Sequence, residues 1–388
     1  MPIDSAIKVL VPDAQAWRRE IHQNPEIMYD VEGTAAFVAE RLRAFGCDEV
    51  KTAIGRAGVV GVIQGAKGSS ARAIGLRADM DALPIEEETN LPYRSKFPGK
   101  MHACGHDGHT AMLLGAAQRL AQTRDFDGKA VVIFQPAEEG GAGAMAMIDD
   151  GLLDKFGIEQ VYGMHNWPGS PVGTFALRKG PLMASADEIT ITIEGKGGHG
   201  ALPHLCIDPV MVGAQIIMAL QIIASRNVDP LDSSVISITR FQAGTANNII
   251  PQSAWLNGTV RTLKPATRDM VEKRIREVAA GVAEASGATA RVEYRRGYPP
   301  TINHGAQTDF AASIARKVAG DSRVDVNAPP TMGSEDFSFM LEARPGAFIF
   351  IGNGDSATLH HPSYDFNDEV LPYGMSYWVE LVETALAP

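Results

Sequence analysis

Val131-Val132-Ile133-Phe134-Gln135-Pro136-Ala137-Glu138-Glu139 is a short apolar run that ends in two adjacent carboxylates. A β-branched and aromatic run of this length reads as a buried strand. Three other stretches share the design. Ala73-Ile74-Gly75-Leu76 leads into Arg77-Ala78-Asp79-Met80-Asp81. Val161-Tyr162-Gly163-Met164 leads into His165, and Phe348-Ile349-Phe350-Ile351 leads through a glycine-rich turn to His360-His361. Helical patterns over 14–24, 33–45 and 109–122 alternate with strand patterns at 58–63, 73–78, 130–134 and 160–164. That alternation predicts an α/β fold with a mostly parallel sheet and helices on both faces. In open α/β sheets the ligand crevice lies beyond the carboxyl ends of the strands. Four such strands would therefore aim carboxylates and imidazoles at one place.

The pattern changes near residue 184. Ile189, Ile191 and Ile193 alternate with polar residues, as in a half-buried strand. A helical pattern follows over 208–226, then strand patterns at 234–241 and 254–263, a charged helix over 266–285 and a last strand at 290–295. The order βαββαβ is that of a ferredoxin-like domain. After Pro299-Pro300 the β/α style returns, with a helix at 308–319 and an apolar run at 347–351. The expected organisation is a larger domain from 1–182 and 297–388 with a smaller one, 183–296, inserted into it.

The bulk numbers agree with this division. A chain of 388 residues exceeds one ordinary core. A formal charge of −11 argues against nucleic acid as a partner, because phosphate binding needs a basic face. The N-terminus carries no signal-peptide pattern, and the three scattered cysteines make no disulfide framework, so a cytoplasmic setting is expected. The apolar stretch 209–224 is broken by Gln215 and Gln221 and falls short of the roughly 20 residues of a membrane span, so it is expected to be a buried helix and no membrane partner is expected.

Metal-capable residues are densest in Met101-His102-Ala103-Cys104-Gly105-His106-Asp107-Gly108-His109. Cys104 and His106, two apart, can face one metal, with Gly105 allowing the tight backbone. Asp107 could orient an imidazole. His109 opens a helix and is expected to support or pack rather than ligate; His102 stays undecided. A structural zinc site would want several cysteines at paired spacing, which are missing. In Glu138-Glu139 one carboxylate can bind metal while its neighbour serves as a general base. No Gly-x-Ser-x-Gly elbow is present, which disfavours a serine nucleophile.

Ordered motifs along the whole chain carry a resemblance. They are Arg18-Arg19-Glu20-Ile21-His22-Gln23-Asn24-Pro25-Glu26, Arg77-Ala78-Asp79-Met80-Asp81-Ala82-Leu83-Pro84, the segment 101–109, residues 135–139, Gly163-Met164-His165-Asn166, Gly197-Gly198-His199-Gly200-Ala201-Leu202-Pro203-His204, residues 244–251, Met332-Gly333-Ser334-Glu335-Asp336-Phe337 and residues 359–368. With these the chain resembles bacterial hippurate hydrolases and plant auxin-conjugate hydrolases, a branch of N-acyl-amino-acid amidohydrolases in the aminoacylase and carboxypeptidase G superfamily.

The resemblance implies a two-metal site with Cys104, His106, Glu139, His165 and His360 as ligands and Glu138 as general base. Asp81 matches an aspartate that orients a ligand. Asp79 stands where distant members have a ligand histidine, so its role is open. The family's Leu-His-x-Pro pattern selects His360 over His361. In the inserted domain, which serves such enzymes as a lid and dimerisation domain, His199 matches a histidine that stabilises the oxyanion, in several relatives from the neighbouring subunit. Asn248 matches an asparagine that holds one end of the substrate. Residues 332–337 match a wall on the substrate side. The implied reaction is metal-dependent hydrolysis of the amide bond of an N-acyl amino acid in a homodimer or larger homo-oligomer. The ligand types suit zinc, with manganese, nickel and cobalt open. A dipeptidase or aminopeptidase on the same scaffold is the alternative; it would need a site for a free amino group.

Overall fold

The structure is a computed structural model that describes residues 3–388. It divides into two compact units. The first comprises 1–180, 302–329 and 336–388; the second comprises 181–301 with 330–335. The inserted unit is thus a few residues longer at each end than the expected 183–296. It also takes up 330–335, because the Ala184 N–H donates to the Gly333 carbonyl and Arg261 donates to Ser334 Oγ.

The first unit is built on an eight-stranded sheet. Its centre is four adjacent, mutually parallel strands: Lys129–Gln135, Ala73–Asp79, Gln160–Trp167 and Gly346–Gly352. These are the four apolar runs of the sequence, so their carboxyl ends do share one side. Ala73–Asp79 and Gly346–Gly352 are buried at every position. That is the signature of strands covered on both faces, and each large apolar side chain so buried contributes about 1.5–3 kcal/mol. The strand Gly58–Gln64, with the expected apolar pattern, runs antiparallel to Lys129–Gln135 and to an outer strand, Glu49–Ile54, that was not expected. Helices Ser5–Gln23, His106–Thr123 and Leu371–Ala385 pack on one another. Ser5–Gln23 begins well before the expected 14–24; Asp4 caps it by accepting from the Ala6 N–H at 3.0 Å.

The second unit has the expected βαββαβ order, in an antiparallel four-stranded sheet. Ile189, Ile191 and Ile193 line its buried face beneath helices Pro209–Ile222 and Pro265–Ala285. Arg268 grips Asp187 there with Nε at 2.9 Å and Nη2 at 2.5 Å. The helix Pro209–Ile222 corrects one expectation. It is not buried all round: Val212, Ile216 and Leu220 face the core, while Met211, Met218 and Ile222 stand exposed.

Candidate metal centre

Glu139 and His165 are delivered at or just beyond strand ends, His360 by the loop after Gly346–Gly352, and Cys104 and His106 by the start of helix His106–Thr123. Glu138 and Glu139 follow the strand Lys129–Gln135 through Ala137, whose φ of 53° is left-handed. Such a conformation in a residue with a Cβ is costly and persists where surroundings impose it. Here Asp81 helps impose it. Its buried carboxylate accepts the Glu138 N–H at 3.0 Å and the Glu139 N–H at 3.1 Å, one oxygen each. Gly105 precedes helix His106–Thr123 at φ 91°, and a Cβ there would stand 2.4 Å from Asn166 Oδ1 and 2.6 Å from the Tyr364 hydroxyl. Only glycine can hold Cys104 and His106 at this approach.

The tautomers follow from the hydrogen bonds. His106 Nδ1 lies 2.8 Å from the Asp81 carbonyl oxygen, an acceptor only, so Nδ1 carries a proton and Nε2 is the nitrogen that would ligate a metal once deprotonated. His165 Nδ1 lies 2.7 Å from the Asn166 carbonyl oxygen, with the same result. Its Nε2 sits 3.4 Å from Cys104 Sγ. The ligating atoms of Cys104, His106 and His165 lie within 4.8 Å of one another, as do those of Cys104, Glu139 and His360, and of His106, Glu138 and Glu139. His360 Nε2 is 3.3 Å from Glu139 Oε1. His361 instead turns to its own loop, where Nδ1 accepts the Ser363 N–H at 3.0 Å.

The donor set fits a divalent cation. His106 Nε2 is buried without a hydrogen-bond partner, an expensive state for a polar atom unless something else meets it. Burial opposes a charge on His106, yet Asp79, Asp81 and Glu139 outweigh it and push the imidazole up to about 10. Burial, helped by Glu139, Glu138 and Asp79, pushes the Cys104 thiol well up. Burial and the neighbouring His109 hold His165 well down, hence neutral. An imidazole that clings to a proton among carboxylates marks surplus negative charge, which a metal ion would neutralise while drawing the protons off its ligands.

Two further residues near the centre are occupied by protein. Asp79 receives Arg77 Nη1 at 2.6 Å and His109 Nδ1 at 2.6 Å. His109 Nε2 meets the Asn166 N–H at 3.0 Å and Asn166 Oδ1 at 2.7 Å, so both ring nitrogens have protein partners, while the ligating atoms of Asp79, His106 and His109 also lie within 4.8 Å of one another. The arrangement gives Asp79 a place as acceptor between a guanidinium and an imidazole. Burial pushes His102 down to about 3, and both its nitrogens lack hydrogen-bond partners.

Several structural participants were not singled out in the sequence. Asp336 accepts Arg77 Nη2 at 3.0 Å, Gln135 Nε2 at 2.8 Å and the Ala144 N–H at 2.9 Å, and its own N–H points to Glu138 Oε1 at 3.4 Å. Arg18 is fully buried among Asp107, Asp365 and Asp368. A signal did exist for both arginines: Arg77 interrupts an apolar strand, and Arg18 falls on the helix stripe of Leu10, Ala14 and Ile21.

His199 and Asn248 belong to the second unit. His199 is exposed and opposite Ile249 in a two-strand ladder, and the Gly200 N–H donates to the Asn248 carbonyl at 2.8 Å, so the two candidates are held side by side. The glycines around His199 serve close packing: a Cβ on Gly198 would stand 2.5 Å from Cys206 Sγ, and one on Gly200 would stand 3.0 Å from the Asn248 carbonyl oxygen.

Known proteins resemble this chain along its length. Residues 75–384 match Peptidase family M20/M25/M40. Hippurate hydrolase of Campylobacter jejuni is 46% identical over 364 residues, 94% of this chain and 94% of its own. N-acetyl-L-cysteine deacetylase of Bacillus subtilis is 43% identical over 356 residues, 91% of this chain and 83% of its own. The crystal structure of a Bacillus subtilis protein described as a dinuclear metal binding peptidase from the M20 family superposes with a TM-score of 0.87 at 37% identity, over 98% of this chain and 99% of that one. With a family match over most of its length and relatives at this identity, the chain belongs to peptidase family M20/M25/M40 and is a metal-dependent amidohydrolase.

Proposed function

We propose that the protein hydrolyses the amide bond of N-acyl amino acids, releasing a carboxylic acid and a free amino acid, at a centre that holds two divalent ions. The observation that carries this reading is the convergence of Cys104, His106, Glu139, His165 and His360 with Glu138 beside them. These five would hold the metal; zinc, manganese, nickel and cobalt all suit a set of thiolate, imidazole and carboxylate. Bound there, a divalent cation supplies Lewis acidity, polarising the substrate carbonyl and making water easier to deprotonate.

The rest is the work of the chain. Glu138 takes a proton from the attacking water at a carboxylate oxygen and delivers it to the departing amide nitrogen. The hydroxyl joins the carbonyl carbon, so the water is fully accounted for. Asp81 keeps the Glu138 to Glu139 turn rigid through its two backbone acceptor bonds. His199 donates to the oxygen that gains charge, and Asn248 holds the substrate's far end.

We further propose that the protein pairs with a second copy through its inserted unit. The exposed Met211, Met218 and Ile222 form an apolar helix face, and strand Ser234–Ala243 is a sheet edge. The three cysteines are free thiols, which suits a cytoplasmic setting.

The test is a panel assay of metal-replete enzyme with N-benzoyl, N-acetyl and indoleacetyl amino acids against free dipeptides. Cleavage of the acylated compounds is expected. Cleavage of free dipeptides alone would overturn the substrate class in favour of a dipeptidase.

A further inference from the structure

The helix Ser5–Gln23 contributes to none of the candidate ligand groups, yet its buried face carries Arg18 and His22 among apolar residues. Arg18 lies on the stripe that Leu10, Ala14 and Ile21 otherwise fill with apolar groups. Its side chain is fully buried and reaches three carboxylates: Nε to Asp368 at 2.8 Å, and Nη1 to Asp365 at 3.2 Å and to Asp107 at 3.4 Å. Its guanidinium stands 4.5 Å over the Tyr93 ring, and the Tyr93 hydroxyl donates to Asp365 at 2.8 Å. Arg19 and Gln15, from the same helix, donate to Asp368, and His22 Nδ1 meets Asp107 at 2.8 Å.

These carboxylates come from two places. Asp107 directly follows His106, at the first turn of helix His106–Thr123. Asp365 lies on the loop that carries His360, and Asp368 opens the short 3-10 turn Asp368–Val370 that ends it. That loop has no regular structure around the histidine, His360 is left-handed at φ 65°, and its side chain is 53% exposed. A ligand so placed owes its position to whatever holds its loop. Burying a guanidinium among carboxylates is a poor way to gain stability, since desolvation offsets most of the attraction. It is a good way to fix three acceptors at set positions, because the planar fork binds in defined directions.

We propose that Arg18 is a positioning residue for the metal centre: through Asp107 on one side and Asp365 with Asp368 on the other, it sets the segment of Cys104 and His106 against the loop of His360. The inference rests on the ligand reading above and extends it to a helix that contributes no ligand. Orienting partners of metal ligands typically change metal affinity 10- to 100-fold. Arg18→Gln should weaken binding within that range. Arg18→Lys should fall between, because an ammonium cannot reach all three carboxylates. Tyr93→Phe, which removes one hydroxyl, should weaken binding less and in the same direction.

The experiment is a competition for Zn²⁺ and for Mn²⁺ against a chromophoric chelator, with folded content checked by circular dichroism. The panel is the full-length wild type, the three variants, Leu10→Ala as an apolar control on the same helix, and Cys104→Ala and His360→Ala as ligand controls. The expected result is weakened binding in Arg18→Gln, Arg18→Lys and Tyr93→Phe, with Leu10→Ala less stable but wild-type in affinity. If Arg18→Gln does not fold, Arg18→Lys and Tyr93→Phe decide. Wild-type affinity in the Arg18 and Tyr93 variants, with loss in both ligand controls, would overturn the inference and leave the ligand reading standing. Equal weakening in Leu10→Ala would overturn it too, as general destabilisation. Wild-type affinity in the ligand controls as well would overturn both.

Discussion

The backbone N–H of His360 donates to the carbonyl oxygen of Ala103 at 2.8 Å. Two segments more than 250 residues apart in sequence are thereby stitched together one residue before Cys104 and at His360 itself. The centre is assembled at such seams, and its ligands should therefore fail together rather than one at a time.

Cys104→Ala and His360→Ala should each lower metal content and activity in parallel. Elemental analysis of purified enzyme is expected to show about two divalent ions per wild-type chain. Chelation should abolish hydrolysis, and metal should restore it. Full activity in Cys104→Ala would make that thiol a packing group.

Glu138 and Glu139 are neighbours in sequence with different surroundings. Glu138→Gln should retain metal and fold while kcat falls by roughly a hundredfold to ten-thousandfold, the span of a lost general base. Glu139→Gln should loosen metal, since its Oε1 faces His106 and His360. Metal titration of both proteins separates the roles; equal loss of metal in the two would end the division.

His199→Ala should lower kcat by about ten- to a thousandfold with metal content unchanged, as for a lost oxyanion donor. Mixing the impaired His199→Ala with the impaired Glu138→Gln, and comparing with each alone, tests whether the histidine serves the neighbouring subunit. Partial return of activity is expected if it does. No return would confine it to its own chain.

His22 sets a pH dependence of stability. Burial opposes its charge, but Asp107 and Glu87 outweigh burial and Arg18, raising its pKa to about 9. The unfolded value is about 6.5. A raised folded pKa contributes stability that is fully present below about 6.5 and is lost as pH rises through about 9. The groups facing the ring are Asp107, Glu87, Arg18, Tyr93 and the neutral His102. Urea unfolding of chelated wild type and His22→Gln should show a stability gap that shrinks by on the order of 3 kcal/mol between pH 6 and pH 10. A gap constant across that range would show that His22 is not charged in the fold.

In the inserted unit, the buried Asp187 meets the buried Arg268, and at the edge of this contact the Tyr294 hydroxyl at 2.7 Å and the Gly297 N–H at 3.1 Å. Asp187→Ala strands a buried guanidinium and should cost about 3–5 kcal/mol, read from denaturant midpoints. A loss within about 0.5 kcal/mol, typical of surface changes, would mean that water reaches the arginine.

The four central strands, the βαββαβ insertion and the crowding of metal-capable residues at strand ends were all legible in the sequence. The reason is local: an apolar run, an alternation of Ile189, Ile191 and Ile193, or a histidine two residues from a cysteine is visible without knowing what lies opposite. The antiparallel direction of Gly58–Gln64 was not legible, because a buried run reads alike in either direction. Nor was the exposed side of Pro209–Ile222, an apolar helix whose burial depends on what else is present to cover it. The sequence placed Asp81, Asp107 and His109 near the centre, but only the tertiary structure decided what each holds. Asp81 spans two backbone amides some 57 residues away, His109 spends both nitrogens on Asp79 and Asn166, and Asp107 meets an arginine 89 residues earlier in the chain. Hydrogen bonds are directional and short, so their partners are set by the packed fold, whereas burial and periodicity are already written along the chain.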